Sequence, residues 1–367
     1  MRIRAAVAVA LVAAVALPRP AAAAVRPHPG RARALTVAGN LLVTDGGTPV
    51  QLRGVNRSTP ETRCQGLGVT SYFAGPTDAP SVRALRTWGV TAVRVPVNED
   101  CWLGRNGLPA GGDAAAYRAQ LTAYARLLVA GGIHVVVDVH FAETTVAGVV
   151  RASAGPAPML DAAHGPELWR SIAATFADER AVAFDLYNEP HDVSWACWRD
   201  GCADPLTGSR YAGMQALVDA VRSTGAANVL VATGPSWGNE LSRWTEYAPR
   251  DPLGRLVAGV HVYPESGCAT VACLDERVAP VAARVPVLVG EFGDTGCTGA
   301  FLEGLAAWAD AHGVSYLAFT WNPAAVACVG YHLVVAFDGT PTAAGLVYRD
   351  HLRARRDAER QAWRPLP

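Results

Sequence analysis

The chain of 367 residues carries 32 basic and 32 acidic side chains, a formal net charge of +0, and half of its residues are hydrophobic. That balance, with no basic block anywhere, argues against nucleic acid as a partner. There is no lysine at all, which removes Schiff-base aldolase and pyridoxal phosphate chemistry.

In chain order, Arg2 and Arg4 precede an apolar run from Ala5 to Leu17 and the small residues Ala21-Ala22-Ala23-Ala24. A charged start, a short hydrophobic core and small residues at a cleavage point are the layout of a secretory signal over residues 1–24. The run is shorter than the ~20 residues a spanning helix needs, and no other stretch approaches that length. The expectation is cleavage near Ala24, export to the extracellular space and no membrane partner. Loss of Arg2, Arg4 and Arg19 with the signal leaves the mature chain slightly acidic. Residues 25–34, rich in Pro, Arg and Gly, make a short leader without a pattern.

From Leu35 to Leu352 apolar strands alternate with helices. The strand candidates are Val50–Asn56, Ala92–Val97, Ile133–His140, Ala181–Asn188, Val229–Thr233, Leu256–Tyr263, Val285–Glu291 and Val314–Trp321. Rich in Val, Ile and Leu and mostly without alternation, they read as parallel strands covered on both faces. Asp78 before Ala79-Pro80 predicts a capped helix ending at Gly89. Asp113 starts another over Ala114–Ala130, with Tyr117, Leu121, Tyr124 and Leu128 on one face. Gly165–Phe176, Arg210–Ser223, Leu274–Ala283, Phe301–His312 and Leu346–Arg356 continue the pattern, with the weakest helix signal around Glu240–Tyr247. Eight strand–helix pairs predict a (β/α)8 TIM barrel, a single domain over 35–352, followed over 353–367 by a helix end and a tail. An open doubly wound sheet would need a Gly-rich phosphate fingerprint after its first strand, and the chain lacks one.

Two strands end in a glutamate. Phe184-Asp185-Leu186-Tyr187-Asn188-Glu189-Pro190 stops at a proline, which has no N–H for a ladder and pushes Glu189 out of the α region. Val285-Pro286-Val287-Leu288-Val289-Gly290-Glu291 mirrors it. Alone, either glutamate reads as a solvated strand cap. Together they are the minimum kit for cleaving a glycosidic bond. In a barrel the carboxyl ends of all strands meet on one face, so Arg94, His140, Asn188, Glu189, His261, Tyr263, Glu291 and Trp321 are expected to converge there. A metal-dependent barrel hydrolase would carry His-x-His after the first strand, where this chain has Leu52-Arg53-Gly54-Val55-Asn56-Arg57.

These strand ends resemble glycoside hydrolase family 5, the cellulase-like retaining glycosidases. The likeness rests on Arg-Val-Pro at 94–96, Asn-Glu-Pro at 188–190, His-Val-Tyr at 261–263, Gly-Glu-Phe-Gly at 290–293 and Thr-Trp-Asn at 320–322. It implies Glu189 as acid/base, Glu291 as nucleophile, and Arg94, His140, Asn188, His261, Tyr263 and Trp321 as the supporting shell. It implies no cofactor and no metal. Phe141-Ala142-Glu143-Thr144-Thr145, after the third strand, shows none of the family-wide motif. The partner expected is a β-linked polysaccharide or oligosaccharide, cleaved by a monomer. First choice is β-1,4-glucan, then β-mannan; a barrel that binds sugar without cleaving it is the non-enzymatic alternative.

Trp102, Trp195, Trp198, Trp237 and Trp244 fall in or near loops that follow strands, where flat aromatic faces suit pyranose rings. Packing around disulfides is the competing reading for Trp195 and Trp198. Trp321 is expected as the floor beneath the sugar being cleaved, and Trp237 as a more distant platform. Trp88, Trp169 and Trp308 lie within helices and are expected in the core. The eight cysteines, spaced unlike zinc sites, are expected to pair Cys64–Cys101, Cys197–Cys202, Cys268–Cys273 and Cys297–Cys328.

Overall fold

In the computed structural model, which describes residues 30–66, 71–106, 112–146, 149–151, 153, 155–204, 207–324 and 330–362, eight parallel strands close into a barrel. They are β1 (Arg53–Asn56), β2 (Ala92–Asn98), β3 (His134–Phe141), β4 (Val182–Asp185), β5 (Leu230–Thr233), β6 (Leu256–Val262), β7 (Val287–Phe292) and β8 (Ser315–Ala318). Each pairs with the next in the sequence, and β8 closes on β1. Most of the observed strands, β1, β4 and β8 above all, are shorter than expected because several apolar flanks belong to loops; β2 runs on to Asn98 and β3 keeps its expected length.

The helices follow suit: α1 (Ala79–Trp88), α2 (Ala114–Ala130), α3 (Gly165–Phe176), α4 (Met214–Ser223), α5 (Trp244–Tyr247), α6 (Val271–Arg277), α7 (Ala279–Ala282), α8 (Ala300–His312) and α9 (Ala343–Ala362). The Asp78 carboxylate accepts from the Ser81 N–H and Gly89 takes a left-handed φ of 90°, so α1 begins and ends where its caps predict. Tyr117, Leu121, Tyr124 and Leu128 are all buried.

Four helices differ from expectation; the last, expected over Leu346–Arg356, runs over Ala343–Ala362. Arg210 and Tyr211 pair antiparallel with Ala203 and Cys202, so α4 starts only at Met214. The expected helix over Leu274–Ala283 is two pieces, and Pro280, which cannot donate an intrahelical bond, opens the second. The signal around Glu240–Tyr247 is one turn, α5.

Inside the barrel, Leu52, Ala92, Val136, Ala183, Val231, Val257, Leu288 and Leu317 form a cluster of their own. A hairpin over Leu35–Ala38 and Leu41–Thr44 plugs its lower end with Leu35 and Leu42. The outward residues of the strands pack on the helices, with Trp88, Trp169 and Trp308 buried there as expected. The lower half of the barrel interior is therefore sealed with hydrocarbon, and the polar side chains that point inward gather at the upper end. Disulfides Cys64–Cys101, Cys197–Cys202 and Cys268–Cys273 brace the upper loops. Cys297 is also disulfide-bonded; Cys328 lies outside the described residues, as does the expected signal. No helix among the described residues is long and apolar enough to cross a membrane.

Candidate active site

The site is built around Arg94, fully buried on β2. Its Nε donates to Asp185 Oδ2 (3.1 Å), its Nη1 to Glu291 Oε1 (2.5 Å) and Asn56 Oδ1 (3.2 Å), and its Nη2 to Asn188 Oδ1 (2.9 Å). Asp138 Oδ2 lies 3.1 Å from Nη2. Burial opposes the guanidinium charge, but Asp138, Asp185 and Glu291 outweigh it and hold its pKa above the ordinary value. Asp138, Asp185 and Asn56 join the site beyond the residues expected from the sequence. Their signal was available: Asp138 interrupts the valines of β3, and Asp185 ends the apolar run of β4. A carboxylate in a strand covered on both faces needs a partner.

Glu291 on β7 is 4% exposed. The Tyr263 hydroxyl donates to its Oε2 at 2.8 Å, and His261 Nδ1 lies 3.9 Å away. Burial pushes this carboxyl up, but His261, Arg94 and His140 and the Tyr263 hydrogen bond win, holding it well below the usual carboxylate range. Burial and the Glu291 charge keep the Tyr263 phenol protonated and donating. His140 Nδ1 sits 2.8 Å from Asp138 Oδ2; burial lowers its pKa, but Asp138 prevails and raises it to about 9. A Cβ at Gly290 would lie 3.0 Å from His261 Nε2, so glycine here lets the imidazole pass in front of β7.

Glu189 lies past the end of β4. The Asn188 N–H still donates to Val139 O and the Leu186 N–H to Val231 O, so the chain stays in register with both neighbours. Glu189 then takes a φ of 51°, a left-handed conformation that costs a non-glycine residue about 1–3 kcal/mol and clusters at functional sites. Its Oε1 is 3.0 Å from His261 Nδ1 and its side chain is 21% exposed, more open than Glu291. One donor atom each of Glu189, His261 and Glu291 lie within 4.8 Å of one another. This trio has the makings of a metal site, but the Arg94 cation already holds Glu291.

Seven of the eight expected strand-end residues therefore meet. Trp321 does not. It is 1% exposed, packed edge-on against Trp88 with ring centroids 4.7 Å apart, and has no face to offer a sugar. The half-buried aromatic at this strand end is Phe319, which contacts Tyr331, itself 5.2 Å from the Tyr263 ring. Among the loop tryptophans, Trp102, Trp198 and Trp244 are also buried, their indole N–H groups donating to Ser171 Oγ, Thr233 O and Ala232 O. Trp195 is half-buried against Trp198 and Tyr247. Trp237 alone of the five is exposed, at 48%, stacked flat on His191 with centroids 3.8 Å apart. It lines a cleft of about 530 Å³ with Glu189, Tyr263, Asn239 and Glu265.

Residues 43–325 match the family model described as Cellulase (glycosyl hydrolase family 5). Over 157 residues, 41% of this chain, the sequence is 29% identical to a manganese dependent endoglucanase, Eg5A, of Phanerodontia chrysosporium, covering 36% of that protein. It is 32% identical over 106 residues, 26% of this chain, to endoglucanase 1 of Robillarda sp. (strain Y-20), covering 24% of it. The chain thus aligns with about a third and a quarter of these two relatives. Among solved structures, the β-glucanase SdGluc5_26A of Saccharophagus degradans in complex with cellotetraose superposes with a TM-score of 0.67. At 18% identity, over 90% of this chain and 98% of that one, it supports the fold.

Proposed function

Because the chain belongs to glycosyl hydrolase family 5, we propose that it hydrolyses β-1,4-linked glucan by double displacement, with Glu189 as acid/base and Glu291 as nucleophile. The observation that carries this reading is the spacing of the two carboxylates. One oxygen of each lies within 4.8 Å of an oxygen of the other, a closeness that fits the about 5–5.5 Å between the carboxyl groups of retaining glycosidases.

Glu291, kept ionised by its neighbours, attacks the anomeric carbon while Glu189 delivers a proton to the departing glycosidic oxygen. Esterification of Glu291 removes a negative charge beside Glu189, which then takes a proton from the incoming water as that water displaces Glu291. Arg94 and Tyr263 hold separate oxygens of Glu291, so its carboxylate plane is set before substrate arrives. Asn188 accepts from Arg94 through Oδ1, which leaves its amide nitrogen to donate to a sugar hydroxyl.

Substrate choice rests on the names of the relatives and on the exposed Trp237 face beside Glu189. The three bracing disulfides fit the proposed export. The test is a hydrolysis screen on soluble β-1,4-glucan, mannan and xylan with product sizing, and NMR of the first-formed anomer. Glucan cleavage with the β-anomer appearing first is expected. Cleavage of mannan alone overturns the substrate, an inverted first product overturns the role of Glu291, and binding without cleavage of any glycan overturns the enzyme reading.

A further inference from the structure

A second group of acids lies outside the catalytic cleft, in the segment after β3 that matches no family motif. Glu143 Oε1 is 2.9 Å from His164 Nδ1, which is 3.3 Å from Asp161 Oδ1. One donor atom of each of the three lies within 4.8 Å of the others. Behind them Glu99, fully buried, accepts the Glu143 N–H through Oε2 at 2.8 Å.

Two oxygens here have no hydrogen-bond partner among the described residues: Glu99 Oε1 and Asp161 Oδ2. Their carboxyl groups are within hydrogen-bonding reach of each other. Asp161 Oδ1 is already taken by the N–H groups of Ala163 and His164, both at 2.8 Å, so the carboxylate cannot turn away. Two acid oxygens fixed face to face without a donor repel unless a proton or a cation lies between them.

Among the described residues, His164 and Arg105 are the cationic side chains within ion-pair distance of this group. Arg105 Nε is 3.7 Å from Glu143 Oε2, on the side away from His164, and the buried Asp100 adds a further acid that shares Asn106 with Glu143. A depression of about 400 Å³, lined by Glu143, Asp161 and His164, opens the group to solvent.

We propose that Glu99, Glu143, Asp161 and His164 form a divalent-cation site that ties the segments after β2 and β3 to the start of α3. Three carboxylates and one imidazole suit Mn²⁺ best: Mg²⁺ and Ca²⁺ favour all-oxygen shells, and structural zinc favours cysteine and histidine in a closed tetrahedron.

The test uses the full chain, stripped with chelator and exchanged into metal-free buffer, and follows added Mn²⁺ by loss of its free electron-paramagnetic resonance signal. One Mn²⁺ per chain is expected to bind. Affinity should fall at least tenfold in His164→Ala and in Glu143→Gln and persist in Glu291→Gln. Crystals of the unaltered chain soaked in MnCl₂ should give an anomalous peak beside Asp161, among Glu99, Glu143 and His164, a readout that needs no variant to fold. Absence of saturable binding, unchanged affinity in both cluster variants, loss in Glu291→Gln, or a peak at any other place overturns the site.

Discussion

Two clusters of buried acids at the upper end of this barrel are built on opposite principles. Around Arg94, three carboxylates surround one guanidinium, and His140 adds a second cation against Asp138. Around Glu99, the carboxylates of Glu143 and Asp161 lie close by, and among the described residues their ion-pair partners are His164 and a peripheral Arg105. The first cluster carries its countercharge in the sequence, so its geometry is set when the chain folds. The second leaves the countercharge to the solution. In the proposed mechanism Glu291 must stay ionised and aimed whatever the medium holds, and the fixed arrangement suits that role.

The largest expected effect comes from breaking the first cluster. Glu291→Gln should bring hydrolysis nearly to background while keeping the shape of the site, and Glu189→Ala should cost roughly 10²–10⁴-fold on oligosaccharides but spare substrates with a good leaving group. Equal losses on aryl glycosides and oligosaccharides for Glu189→Ala would contradict the acid role. Arg94→Met strands Asp138, Asp185 and Glu291 without their cation. Breaking a buried ion pair in this way costs about 3–5 kcal/mol, so denaturant unfolding should show a loss of that order along with the loss of turnover. A stable, inactive Arg94→Met chain would mean that the carboxylates need no fixed countercharge.

The pH dependence sharpens the same point. His140 has its folded pKa raised to about 9 from an ordinary 6.5 by Asp138, against the opposing effect of burial. A raised histidine pKa contributes stability that is complete below 6.5 and disappears as pH rises through about 9. Unfolding free energy should therefore fall between those limits in the unaltered chain. In His140→Asn that part of the slope should be missing, and an identical slope would place the titration elsewhere.

The architecture was legible because it rests on local signals that packing reinforces: continuous apolar strands, an aspartate cap before α1 and α2, and glutamates at two strand ends. Arg94, Asn188, His261 and Tyr263 came together because strand ends share one face. The tryptophans show where that reasoning stops. Trp102, Trp198 and Trp244 sit in or near loops yet are buried, because each indole N–H reaches an acceptor under the loop. A one-dimensional pattern places a residue at a strand end but does not say which way its ring turns, and Trp321 turns towards Trp88. Trp321→Ala should accordingly cost about 3–5 kcal/mol of stability as a cavity, with kcat of the folded chain little changed. A lowered kcat at full stability would restore its place under the sugar. The acid cluster escaped notice for a related reason: Glu99, Glu143, Asp161 and His164 come from three separate segments, and no spacing in the sequence announces them.

The smallest expected effect is also the one that separates the two clusters by sign. In Glu99→Gln the side-chain oxygen still accepts the Glu143 N–H, and the new amide donates to Asp161 Oδ2, an oxygen that otherwise has no donor among the described residues. In chelator the variant should be as stable as the unaltered chain or more so, by up to about 1 kcal/mol, the net worth of a hydrogen bond. Added Mn²⁺ should reverse the order. A ligand that binds only the folded state stabilises it by about 2.7 kcal/mol at one hundred times its dissociation constant, and the variant, short of one ligand, should gain less. Thermal unfolding of both chains, with chelator and with Mn²⁺, gives the four numbers needed. The Arg94 network permits no such reversal, since its countercharge is covalently part of the chain. If Glu99→Gln is less stable than the unaltered chain in chelator, and by the same margin in Mn²⁺, then a proton and not a cation bridges Glu99 and Asp161, and the two clusters differ only in which side chain holds the charge.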